Sequence, residues 1–210
     1  MEKELLNIQM ALFFKNEYVG NFESLSLKIK EKVGEPQLTQ HLPVPQNIPP
    51  DVPRLILKYL NFDLNISKSR IDFFSKNTSL IKENILIIID ILENAGLKIG
   101  RVGFVKNFFS GQNVGYLKTL LNEQKISGLD FKEIGIRINT KSILDSFECN
   151  NIQNIVNGKI NSQGEERDGI VITRDINTAL EKIQEYNFTR TNIVELIENF
   201  DKKSNELIYV

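Results

Sequence analysis

The stretch RVGFVKNFF, Arg101 to Phe109, decides how the rest of the chain is read. Its β-branched and aromatic residues predict a strand, whose successive side chains point to opposite faces. By parity Phe104 and Phe108 share one face with Val102 and Lys106. If that face is open to solvent it is a two-ring platform with a cation beside it. If it packs beneath a helix it is a core strand, and because large aromatics mostly supply core area, the core reading is favoured.

Working outward, the segment Ser79 to Ala95 predicts a helix capped by Ser79 and ended by Gly96. Its Ile-rich middle is apolar on nearly every side, as a central buried helix would be. Earlier, Asn7 to Phe14 predicts a strand. Asn21 to Gly34 predicts a helix, with Asn21 as N-cap and Phe22, Leu25, Ile29 and Val33 at helical spacing. All six prolines fall between Pro36 and Pro53, a connector or a sheet edge, since each fixes φ and removes a donor. The runs RLILKY from Arg54, FDLNIS from Phe62 and RIDFFS from Arg70 then predict a three-stranded meander.

After the quoted strand, Gly111 breaks the pattern, and Val114, Leu117, Leu120 and Leu121 predict another helix. Strands are predicted from Glu133, Asn150 and Asp168, with the polar segment NSQGEERDG as an exposed hairpin tip. Thr178 and Glu181 have capping-box spacing, but TALEKIQEY has no assignment. In the tail, Ile193, Leu196, Ile197 and Phe200 recur at i, i+3, i+4 and i+7, which predicts a helix. An echo links VGFVKN at Val102 with IGIRIN at Ile134, two strands that would be equivalent if the halves are related.

The 210 residues carry 26 Lys plus Arg against 27 Asp plus Glu. This balance removes the long-range field that draws proteins to phosphate backbones or anionic lipid, so nucleic acid is not favoured as a partner. The longest apolar run, Ile85 to Leu92, is interrupted by Asp90 and too short to span a bilayer, and no membrane association is expected. The single cysteine, Cys149, and the lack of an N-terminal apolar signal favour a cytoplasmic setting. The Ile, Asn and Lys content fits an AT-rich, bacterial or mobile-element coding sequence.

Motifs for chemistry are sparse. No phosphate-binding glycine loop, dinucleotide fingerprint, zinc-protease motif or nucleophile elbow occurs, and no cofactor or metal is expected. His41, the single histidine, has no recognisable nucleophile partner, and Cys149 has neither a neighbouring cation nor a second cysteine. The PPDVP segment from Pro49 has polyproline spacing without an N-terminal basic anchor. Dispersed carboxylates leave a metal-dependent hydrolase as a third reading, with Glu165 and Glu166 in the polar tip and Glu195 and Glu198 on the outer face of the last helix.

The quoted strand also approaches the aromatic strand of RNA-recognition domains, whose pattern is K/R-G-F/Y-G/A-F-V-x-F/Y. Gly103, Phe104 and Val105 match in kind, but Lys106 and Asn107 put the last aromatic one place late. One residue of slip reverses the face.

In element order, and in the strand LKIGRVGFVKN, the chain resembles a sporadically distributed family of uncharacterised bacterial proteins with a strand of the form R-I-G-L-R-Y-I-N. Arg101, Val102, Gly103 and Phe104 match it, with Asn107 one residue early. Gly135, Arg137 and Asn139 form a second partial copy. The resemblance implies an α+β fold and transfers no catalytic residue.

The expected fold is therefore α+β, with two packed lobes of mainly antiparallel curved sheet covered by helices and an internal duplication. The lobes would span 1–111 and 112–210, or merge into one continuous domain. The expected function is a non-enzymatic protein-binding module, such as an inhibitor or accessory subunit of a bacterial defence or mobile-element system. Its candidate partner-binding residues are Arg101, Phe104, Lys106, Phe108, Glu165, Glu166 and Arg167. The alternative is RNA or single-stranded nucleic-acid binding through an aromatic sheet face that includes Lys98 and Arg101.

Overall fold

A computed structural model describes residues 2–43, 45, 47–111, 117, 134–162 and 164–206. The chain begins with strand β1 (Glu4–Phe14), helix α1 (Phe22–Val33) and a short strand β2 (Leu38–His41). A meander β3 (Leu55–Lys58), β4 (Phe62–Ile66) and β5 (Arg70–Ser75) leads to helix α2 (Thr78–Asn94). Strand β6 (Ile99–Ser110) follows, and the rest of the chain holds β7 (Gly135–Leu144), β8 (Phe147–Ser162), β9 (Glu165–Thr178) and helix α3 (Arg190–Asn205).

Among the described residues the strands form one nine-stranded antiparallel sheet in the order β2-β3-β4-β5-β1-β6-β9-β8-β7. The fold is thus mixed α+β, and both halves of the chain share a single sheet. The sheet crosses from residues 1–111 to residues 112–210 where β6 pairs with β9. The echoed segments do not take matching places, because β6 is central and β7 is an edge strand.

Parity along the strands explains the core. Ile8, Met10, Leu12 and Phe14 of β1 alternate inward, and register carries that face to Ile71 and Phe73 on β5 and to Val102 and Phe104 on β6. The inward residues of α1, α2 and α3 pack on this same face. They include Leu25 and Ile29, then Ile81, Ile85, Ile88 and Leu92, then Ile193, Leu196, Ile197 and Phe200. A second apolar cluster of Phe108, Leu117, Ile134, Ile155, Ile170 and Ile172 continues that face toward β7. Burial of these side chains stabilises the fold by about 1.5–3 kcal/mol for each large one.

The helix ends follow local chemistry. Asn21 caps α1 by accepting from the amides of Glu23 (2.7 Å) and Ser24 (3.1 Å), and Gly34 ends it at φ 106°. Asn77, rather than Ser79, caps α2 and accepts from the amides of Ser79 and Leu80. Thr189 and Asn192 form a capping box on α3. The pairing at Thr178 and Glu181 is not a cap, because Thr178 closes β9 and its Oγ1 accepts from the Val102 amide at 3.0 Å. The polar tip is shorter than predicted, since β8 and β9 stay paired out to Ser162 and Glu165 around Gly164 at φ 85°. The predicted helix around Val114, Leu120 and Leu121 lies outside the described residues, and Leu117 is buried.

Candidate binding face

The quoted strand divides its residues between two surfaces. Phe104 and Phe108 are both buried on the helix side, Phe104 completely, with its ring centroid 6.5 Å from that of Phe200. Lys106 lies between them beneath α3, where its Nζ sits 2.8 Å from Asp201 Oδ1 and donates to Asn205 Oδ1 at 3.1 Å. The expectation that Phe104, Lys106 and Phe108 present a binding face is therefore corrected. They are core side chains, held inward by the parity that joins them to Met10 and Ile176.

A polar layer that the sequence reading missed lies beneath the end of α3. Arg174, the register partner of Lys106 on β9, is fully buried. It donates to Gln153 Oε1 at 3.0 Å, to Asn151 Oδ1 at 2.7 Å and to the Lys203 carbonyl at 3.3 Å. Lys3 donates to the Asn205 carbonyl at 2.9 Å. Cations thus gather where the helix exposes its last carbonyls and the negative end of its dipole. Burial pushes the Arg174 pKa down, and Glu206 opposes the shift. This arrangement fastens α3 to the sheet and offers nothing to solvent chemistry.

The opposite face carries none of α1, α2 or α3. Register lines its side chains into rows that cross the strands. One row runs Asn7, Asn107, Thr173, Asn154 and Arg137 over β1, β6, β9, β8 and β7. Within it Asn107 donates to Asn7 Oδ1 at 2.7 Å and Thr173 donates to Asn107 Oδ1 at 2.7 Å. The next row runs Asp63, Phe74, Gln9, Val105, Asp175, Ile152 and Asn139, and the one beyond runs Asn65, Asp72, Ala11, Gly103, Asn177, Asn150 and Lys141. Asp72 accepts from Gln9 Nε2 at 2.9 Å and pairs with Arg70 at 2.9 Å. Burial nevertheless raises its pKa, against the lowering pull of Gln9 and Arg70.

Phe13 stands at the end of these rows between its two register partners, Arg70 on β5 and Arg101 on β6. The guanidinium carbons lie 5.6 Å and 4.5 Å from its ring centroid, within reach of cation–π attraction. Arg101 is therefore the one candidate binding residue of the quoted stretch that faces away from the helices. Of the other candidates, Arg167 covers the Phe109 ring at 4.8 Å and pairs with Glu4 at 2.6 Å. Glu166 pairs with Lys159, and Glu165 is exposed at the start of β9. These three lie at the β8–β9 tip, well along β9 from the register positions that meet Arg101, and do not join it.

The remaining reactive side chains do not assemble. His41 ends the edge strand β2. Cys149 is buried, and burial pushes its thiol up to about 12. Among the described residues no group of three or more His, Cys, Asp or Glu side chains could hold a metal ion. No helix among them is long and apolar enough to cross a membrane.

No protein-family model matches the chain, and no curated protein matches it. Among solved structures, TBP from Methanococcus jannaschii aligns over 95% of this chain and 99% of its own, at 13% identity and a TM-score of 0.33. At that score the likeness carries no argument about function.

Proposed function

We propose that the chain is a non-enzymatic protein-binding module that meets its partner through the face of the sheet opposite α1, α2 and α3. The observation that carries this reading is the set of side-chain rows crossing that face. They interleave amides and hydroxyls with half-buried apolar side chains such as Phe13, Phe74 and Val105. Protein interfaces set aromatic and apolar side chains at their centres and polar groups at their rims.

The alternative of nucleic-acid binding has less support. The rings proposed as its platform are inside the core, and the open face interrupts its cations with Asp63, Asp72 and Asp175. A phosphate backbone is tracked by a continuous cationic groove with stacking rings, which this pattern does not supply.

The test is affinity capture of the tagged full chain from its native host after nuclease treatment, beside variants Val105→Arg and Asn107→Arg. Capture of a stoichiometric protein by the parent chain, lost in both variants at unchanged melting temperature, is the expected result. A partner retained by both variants would overturn the reading.

A further inference from the structure

We propose that the Phe13, Arg70 and Arg101 cluster is the anchoring subsite of this face, and that it receives a carboxylate side chain from an acidic segment of the partner protein. The inference rests on the reading of the sheet face opposite α1, α2 and α3 as the partner surface and names the chemistry that it selects.

The donor inventory points to an anion. Arg101 spends Nε on the Thr178 carbonyl at 3.2 Å and Nη2 on Asn177 Oδ1 at 3.0 Å, and its Nη1 makes no hydrogen bond among the described residues. Arg70 is ion-paired with Asp72, its Nε 2.9 Å from Oδ2, and neither of its Nη atoms makes a hydrogen bond among the described residues. Each guanidinium is thus oriented by one edge, with donors to spare on another, which is how a fork is pre-positioned for a carboxylate. The two cations flank one ring from the strands on either side of β1, so they lie roughly 10 Å apart at the backbone, twice the strand spacing. Burial lowers the Arg101 pKa and the nearby Arg70 lowers it further, while Asp175 and Glu181 oppose the shift.

The surroundings favour a carboxylate on a polypeptide over a run of phosphates. Asp72 lies in the row next to the cluster, on β5, and Asp175 lies one row further, on β9. A polyphosphate chain crossing the strands would be driven against both. A polypeptide can set one acidic side chain at the arginines and lay its methylenes over the half-buried Phe13, with Val105 further along the same face. Asn177, itself held by donating to Asp175 at 2.8 Å, fixes Arg101 from the far side.

The experiment is a titration of the isotopically labelled full chain, read at the Nε–Hε signals of Arg70 and Arg101. The probes are a short oligoglutamate peptide, its oligoglutamine counterpart and a short oligothymidylate. Oligoglutamate is expected to shift both signals, and oligoglutamine to leave them in place. Arg70→Gln and Arg101→Gln should each weaken oligoglutamate binding about tenfold, the size of one lost charge-assisted hydrogen bond. Arg101→Lys should weaken it too, because the charge stays and the fork is lost. Lys159→Gln, at the distant β8–β9 tip, should have no effect. Thermal unfolding checks each variant, and Arg70→Gln serves where loss of the Arg101 bond to Thr178 disturbs folding. Silence toward oligoglutamate, equal binding by the arginine variants, or a response to oligothymidylate alone would overturn the inference. If partner capture still depends on Val105 and Asn107 in those cases, only the subsite chemistry falls. If capture ignores those substitutions, the reading of the face falls as well.

Discussion

Phe104 on β6 packs against Phe200 on α3 with ring centroids 6.5 Å apart, and both rings are fully buried. Three residues on, Asn107 faces the other side and bonds to Asn7. Phe104→Ala is expected to cost about 3–5 kcal/mol, the usual loss for a buried aromatic. Asn107→Ala should cost less than about 1 kcal/mol, as surface changes do. Urea denaturation of the two variants checks this, and equal losses would mean that the face assignment of β6 is reversed.

Lys106 meets Asp201 where β6 passes beneath α3. Asp201→Ala would leave a buried ammonium with amide partners alone. Because Asp201 is partly exposed, the expected loss is about 2 kcal/mol, below that for breaking a fully buried pair. Lys106→Met removes the charge along with its need for a partner and should cost less. A double-mutant cycle between the two positions measures the coupling, and a coupling near zero would contradict this role.

Much of the fold is legible in the chain because it depends on near neighbours. The apolar spacing at Ile193, Leu196, Ile197 and Phe200 locates α3, and all four are fully buried. Gly34 marks the end of α1 because that position needs a positive φ. The cap of α2 was misread by two residues, since Asn77 and Ser79 both have suitable side chains and only geometry chooses between them. The candidate face was harder to see. Phe13, Arg70 and Arg101 are far apart in sequence and meet because β5, β1 and β6 are neighbours, an order set by long-range pairing. Buried Arg174 was equally hidden, because its partners come from β8 and from the far end of α3. The parity of RVGFVKNFF was readable, whereas which of its two faces the helices would cover was not.

Asp72 gives the stability a pH dependence of known sign. Its folded pKa lies above the unfolded value, so the protonated form is favoured by folding. The associated stability is present below the ordinary carboxylate pKa and is lost as pH rises through the folded value. Asp72→Asn should therefore gain on the parent chain as pH rises from about 3 to 7. Paired denaturation curves across that range check the slope, and a variant that loses ground with rising pH would contradict the burial argument.

Cys149, with its thiol pushed up to about 12 by burial, should hold almost no thiolate near neutral pH. Iodoacetamide is expected to label the denatured chain rapidly and the folded chain negligibly in the same interval, as read by mass spectrometry. Rapid labelling of the folded chain would show that the Phe147 end of β8 opens.

The most direct test of the binding face is a hydroxyl-radical footprint of the chain with and without its captured partner. Phe13, Phe74 and Val156 lie on the face opposite α1, α2 and α3, while Leu27 is exposed on α1. Protection of the first three with Leu27 still oxidised is the expected result. Protection of Leu27 with Phe13, Phe74 and Val156 still oxidised would contradict it and move the interface to the helices.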